Sequence, residues 1–199
     1  MRNSSRATEK GTVTMIGYAM CGSFCTLSDS LSQLTALVAA GYDVQPILSE
    51  RVYNTDTRFF TAAELCSRVI NICGRRIIHT VEGAEPFGQN RLDMLIIAPC
   101  TGNTLAKLAN GITDTSVTMA AKAHLRCDGT LLIALASNDA MSQNLKNISA
   151  LLQRKSVYFV PLRQDNPTGK PHSLVADFAR LPEAIDAMRE GRRIRPLFV

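Results

Sequence analysis

Aliphatic runs and amphipathic segments alternate along this chain, and the alternation predicts its elements. Thr12–Ala19, rich in β-branched residues, reads as a first strand and Tyr42–Leu48 as a second. Between them Leu27, Leu31, Leu34 and Val38 recur at helical spacing, which predicts a helix over Thr26–Ala40 ended by Gly41. A polar, irregular stretch from Ser49 to Thr61 leads to a helix near Ala62–Cys73 and a short strand over Arg76–His79. Asp93–Ala98 is mostly aliphatic, the pattern of a strand buried on both faces of a parallel sheet. Further on, helices over Thr115–Arg126, Met141–Gln153 and Ser173–Arg189 alternate with strands over Thr130–Ala136 and Val157–Pro161. This order implies an α/β fold: a Rossmann-like, doubly wound, mostly parallel sheet of about six strands flanked by helices.

The character of the chain changes after Ala98. Pro99 has no amide to extend a central strand, and Cys100, Thr101, Gly102, Asn103 and Thr104 form a small polar turn. Leu105, Leu108 and Ala109 then open a helix that Asn110-Gly111 stops. A strand ending in a polar turn before a helix is where open α/β sheets take ligands, because unpaired helix amides face the carboxyl edge of the sheet. The first strand ends in a comparable turn, Met20–Ser23. Gly22 permits close backbone approach and Ser23 offers a hydroxyl, a combination suited either to a phosphate monoester or to capping the next helix. Ser49 ends the second strand at the same edge. The Asn103 amide can donate and accept, so it suits a carboxylate or a ring carbonyl, or else an Asx turn within its own loop.

Composition narrows the class. The chain has 199 residues, 46% hydrophobic and 20% charged, enough for one domain with a sizeable core. We divide it into an N-terminal arm (1–11), a single domain (12–189) and a basic C-terminal tail (190–199). The net charge of +5 resides in residues 1–11 and 189–199, which leaves 12–188 neutral. Without interleaved aromatics or a reading motif, these ends read as solvated tails and not as a nucleic-acid surface. No apolar run has the length of a membrane span and no secretory h-region opens the chain, so a cytoplasmic protein is expected. The six cysteines lack C-x-x-C spacing and His79, His124 and His172 lack metal-ligand spacing, which argues against disulfides and a metal centre. No G-x-S-x-G elbow occurs either.

The segment Pro99–Thr104, followed by Ala109-Asn110-Gly111-Ile112-Thr113-Asp114, resembles the Pro-Ala-Ser-Ala-Asn-Thr motif and downstream Ala-Asn-Gly-Ile-x-Asp of the flavin-containing cysteine decarboxylase-like flavoproteins. The resemblance covers roughly Thr12 to Ala187. It implies FMN as cofactor, held by Gly22, Ser23, Ser49, Cys100, Thr101, Gly102, Thr104, Ser137 and Asn138, with Asn103 at the catalytic position. It also implies a homo-oligomer, a trimer or a multiple of one. The loop Ala136–Asn144 lies where the decarboxylases carry Pro-x-Met-Asn-x-x-Met-Trp. Asn138 and Met141 match, whereas Leu135, Ser137 and Ser142 replace the proline, the first methionine and the tryptophan. Glu85 stands where the decarboxylases have a histidine, which changes charge and proton-transfer capacity.

These departures turn the expectation from cysteinyl substrates toward another member activity. The wording of Ala98–Arg126 is most similar to a subunit of spore-forming bacteria that works in the mother cell on a small cyclic dicarboxylate. Such a protein acts beside a partner carrying its own dinucleotide-binding domain, in a net dehydration and oxidation. Met141 and the cations Arg163 and Lys170 of the loop Leu162–Ser173 are then the substrate-binding candidates. An FMN-dependent decarboxylase of a cysteine-derived thiol and a non-catalytic binding subunit are the alternatives. Cys100 reads as a small buried hydrophobe.

Overall fold

The computed structural model describes residues 14–89 and 92–199. The expected N-terminal arm lies outside them, as do the first two residues of the expected first strand. Among the described residues seven strands form one sheet: β1 (Met15–Met20), β2 (Asp43–Leu48), β3 (Met94–Thr101), β4 (Leu131–Ser137), β5 (Val157–Phe159), β6 (Leu162–Arg163) and β7 (Leu174–Ala176). Their order is β2-β1-β3-β4-β7-β6, and β5 also pairs with β4. The first four strands are mutually parallel, so their carboxyl ends share one edge. Beyond β4 the neighbour changes partway. β5 runs parallel along Leu131–Ile133, whereas β7 runs antiparallel along Ala136–Ser137 and carries β6 on its other side.

Among the described residues eight α-helices surround the sheet: α1 (Leu27–Ala39), α2 (Glu50–Asn54), α3 (Ala62–Cys73), α4 (Val81–Ala84), α5 (Gly102–Asn110), α6 (Ser116–Leu125), α7 (Leu145–Leu152) and α8 (Leu181–Arg189). Every residue of β4 is buried, as are Met94–Cys100 of β3, which explains their unbroken aliphatic runs. Caps fix where the helices begin. Thr61, Thr101 and Thr115 each accept an amide hydrogen three residues on, and Gly74 and Gly111 end α3 and α5 in the left-handed region. Glu50 accepts the Ser116 amide at 2.9 Å while the Ser116 hydroxyl donates to the Leu48 carbonyl at 2.7 Å, which ties α6 to the end of β2.

Several sequence expectations are corrected. β3 does not stop at Ala98: it runs through Pro99 to Thr101, and a register shift between Ile97 and Cys100 accommodates the residue that has no amide. α5 then begins at Gly102, three residues earlier than its apolar spacing indicates. The expected strand Arg76–His79 is a single bridge from Ile78 to Ile47. The helix expected from Met141 starts at Leu145, because the Asp139 carbonyl accepts the amides of Ser142 and Asn144 in a turn. Within Ser173–Arg189 only Leu181–Arg189 is α-helical; Leu174–Ala176 pairs with β4 as β7.

Residues 190–199, expected as a solvated tail, lie back on the domain. Ile194 is buried, the Leu162 amide donates to the Leu197 carbonyl at 2.7 Å and the Val199 amide donates to the Leu162 carbonyl at 2.9 Å.

Candidate functional site

Three turns meet where β1, β3 and β4 end. Gly22–Thr26 follows β1, Thr101–Asn103 opens α5, and Ala136–Asp139 closes β4 and leads to the start of α7. Together with Asp165 and Lys170 from the loop beyond β6 they line a cleft of about 750 Å³. That volume lies within the range of about 300–1,000 Å³ typical of small-molecule sites.

The β1 turn leaves its hydroxyl available. Ser23 precedes the 3-10 turn Phe24–Thr26 without making a side-chain cap, and among the described residues its Oγ has only a 3.9 Å contact to Cys25 Sγ. Of its two expected roles, the capping one is therefore not used. Gly22 lies against the Phe24 ring and the Arg51 side chain, each about 3.5 Å from where a Cβ would stand.

The α5 turn is held from inside. Thr101 Oγ1 accepts the Thr104 amide at 3.3 Å and donates to Thr104 Oγ1 at 3.1 Å; Thr104 Oγ1 donates onward to Cys21 Sγ at 3.3 Å. These bonds secure the helix start, so that Gly102 and Asn103 contribute the first amides of α5 to the cleft. The Asn103 side chain is exposed and makes no hydrogen bond among the described residues, so the Asx-turn alternative is not adopted.

The β4 turn carries a charged network. Asp139 Oδ1 accepts Ser137 Oγ at 2.6 Å and Asn144 Nδ2 at 2.8 Å, and Asn147 Nδ2 donates to Asn144 Oδ1 at 2.8 Å. The Ser137 donor, followed by that of Asn144, holds the Asp139 carboxyl below its ordinary pKa, so the group is a carboxylate at neutral pH. Gly102 lies directly on this network. An added Cβ would stand 2.6 Å from Asn144 Nδ2 and 3.0 Å from Asp139 Oδ1, and would collide with Ser137 Oγ.

Of the residues singled out from sequence, Gly22, Ser23, Thr101, Gly102, Asn103, Ser137, Asn138 and Lys170 line the cleft. Others do not. Thr104 and Cys100 are buried behind it, and burial pushes the Cys100 thiol well above its ordinary pKa, as it pushes neighbouring Cys21 up to about 11. Ser49 is buried at the start of α2, where it accepts the Val52 amide. Met141 borders a separate apolar groove, Arg163 is exposed outside the cleft, and Glu85 lies on an exposed 3-10 turn after α4.

Sequence reading missed Asp139, Asn144, Lys146, Asn147 and Asp165. The first four stand in a segment read as loop and helix, where only the turn geometry points them inward. Asp165 could have been found from Lys170 five residues on, with which it pairs at 3.0 Å. No group of three metal-ligating side chains occurs among the described residues.

A larger cavity, about 980 Å³, lies elsewhere, between the end of α7, β5, α8 and residues 191–195. Two of its three arginines are engaged structurally: Arg192 pairs with Glu190, and Arg193 donates to the Arg154 carbonyl near the negative end of α7. No turn from a parallel strand end converges there. The smaller cleft is thus the candidate site.

A mostly parallel α/β sheet presents at its carboxyl edge a glycine–serine turn and an Asn-bearing helix start, and the chain belongs to the flavoprotein family, whose model matches residues 3–184. The B subunit of dipicolinate synthase from Bacillus subtilis (strain 168) is 37% identical over 185 residues, covering 92% of each chain. The crystal structure of the corresponding dipicolinate synthase B subunit from Bacillus halodurans C has a TM-score of 0.86 at 39% identity, covering 94% of this chain and 96% of that one. The FMN-dependent cysteine decarboxylase SpaF has the same fold: its TM-score is 0.66 at 18% identity, over 90% of this chain and 97% of that one.

Proposed function

We propose that this chain acts as the B subunit of a dipicolinate synthase, an oxidoreductase that holds FMN and converts a cyclic dihydrodipicolinate-type dicarboxylate to dipicolinate. The observation that carries the reading is the convergence of the three turns on one cleft. Similarity to the corresponding proteins of two Bacillus species, over nearly the whole chain, supports the choice within the family. An A subunit with a dinucleotide-binding domain is the implied partner, and the mother-cell cytoplasm of a sporulating bacterium the implied setting, checked by cell fractionation.

The donor set fits FMN. The uncapped Ser23 hydroxyl and the close-approach Gly22 suit a phosphate monoester, with buried Ser49 behind them. The α5 amides at Gly102 and Asn103, and the side-chain amides of Asn103 and Asn138, suit ring carbonyls or a substrate carboxylate. FMN supplies a hydride acceptor when bound. The chain's own residues orient the dicarboxylate beside it: Asn103 donates to its carboxylate, and the loop carrying Lys170 covers the open side. Buried Cys100 takes no proton and serves packing.

An apolar groove lined by Met141, Leu145, Leu162, Leu174, Phe198 and Val199 supports association with further copies or with the A subunit. Light scattering that gives only a monomer, with and without that partner, counts against association.

The test of function is direct. The chain reconstituted with FMN should show a flavin absorption band and, mixed with the cyclic precursor and the A subunit, should form dipicolinate. Asn103→Ala should lower kcat/KM by roughly ten- to a hundredfold, the effect of about 1–3 kcal/mol. No flavin binding at tens of micromolar, or full activity of Asn103→Ala, overturns the reading.

A further inference from the structure

The cleft holds four charged side chains: Asp139, Lys146, Asp165 and Lys170. Lys170 Nζ is engaged with Asp165 at 3.0 Å, and Asp139 is occupied by Ser137 and Asn144. Arg163 is outside. Lys146 is different. Among the described residues its ammonium has no ion pair and no side-chain hydrogen bond. Nor does local structure explain it: Lys146 stands in the first turn of α7, which contains no acidic residue, where a cation opposes the helix dipole. A lysine in that position opposes the helix dipole and is exposed, yet it places an uncommitted charge on a cleft whose Lys170 is already paired.

We propose that Lys146 is the substrate-specificity residue of the cleft, binding a carboxylate of the ligand as a charge-assisted hydrogen-bond donor. This deepens the proposed function and rests on its dicarboxylate substrate. The role falls to Lys146 in place of Arg163, and Lys170 contributes less because binding there competes with Asp165. The Asp139 carboxylate, beside Gly102 in the same cleft, disfavours a second negative group next to itself.

Calorimetric titration of the FMN-loaded chain with dipicolinate tests it. Lys146→Met should weaken dipicolinate binding roughly ten- to a hundredfold, whereas Lys146→Arg should stay within about threefold. Lys170→Met should lose less than Lys146→Met, and FMN affinity should not change in either. Circular dichroism checks folding. Undiminished dipicolinate binding by Lys146→Met, a larger loss in Lys170→Met, or weakened FMN binding with dipicolinate binding intact overturns the assignment. So does absence of dipicolinate binding by the unaltered chain. Lys146-dependent binding in a chain that forms no dipicolinate with the A subunit would instead reject the enzymatic reading and leave the carboxylate site standing.

Discussion

The Thr104 hydroxyl donates to the Cys21 sulfur at 3.3 Å, across 83 positions of sequence. This contact joins the end of β1 to the first turn of α5, the two segments that face each other over the cleft. Both residues are buried, and Thr104 also accepts the Thr101 hydroxyl, so one small side chain completes a chain of three groups. Burial and not catalytic tuning governs the thiol, whose pKa is pushed up to about 11.

Replacement of Thr104 by the isosteric valine should therefore act on stability first. It removes one donor and one acceptor while keeping volume, at a cost of about 1–2 kcal/mol, toward the lower end because sulfur accepts weakly. Urea unfolding should show a lower midpoint with an unchanged slope. An unshifted midpoint would mean that the Thr101 amide cap alone holds the turn.

Gly102→Ala sets two effects against each other. Alanine improves on glycine in a helix by at most about 1 kcal/mol, whereas overpacking costs about 1–3 kcal/mol. The new methyl would meet Ser137, Asn144 and Asp139, all tied to one another and unable to swing aside singly. The clash should win. Expected outcomes are a lower urea midpoint and weaker FMN binding by fluorescence titration; a variant equal to the parent in both would show that the β4 turn yields freely.

How far the sequence disclosed this arrangement depends on where the information lies. Aliphatic runs mark β3 and β4 because those strands are buried along nearly their whole length, and glycine stops mark the ends of α1, α3 and α5. Leu174 and Val175 read as helix because they precede Leu181 and Ile185, which do belong to one. Antiparallel pairing of Val175 with Ala136 decides otherwise, a tertiary contact that no local period records. The polar turns are legible in the same way: small residues after a buried strand must go to the sheet edge. The Asp139 network is not, since its bonds depend on how the turn from Asp139 to Asn144 folds back. Charge alone also does not separate Arg163, which lies outside the cleft, from Lys146, which lines it.

The pH dependence of stability should carry the signature of His124. Its ring is buried, and Nε2, necessarily the protonated nitrogen, donates to the Thr130 carbonyl at 3.0 Å. Burial, acting against the Thr130 bond and the Asp93 charge, lowers its pKa from the ordinary 6.5. In the interval between the lowered value and 6.5 the unfolded chain binds more protons at this site, so stability rises with pH there. The contribution is fully present above 6.5 and is lost as pH falls toward the folded-state value. Carboxylates with lowered pKa, Asp139 and Asp165 among them, act in a separate and more acidic window, below the ordinary aspartate value of 3.8. Urea midpoints measured from about pH 7.5 down to about 5 should fall below about 6.5, and His124→Gln, which keeps a donor to Thr130 but cannot be protonated, should flatten that fall. An identical slope in the variant would assign the pH response to other groups.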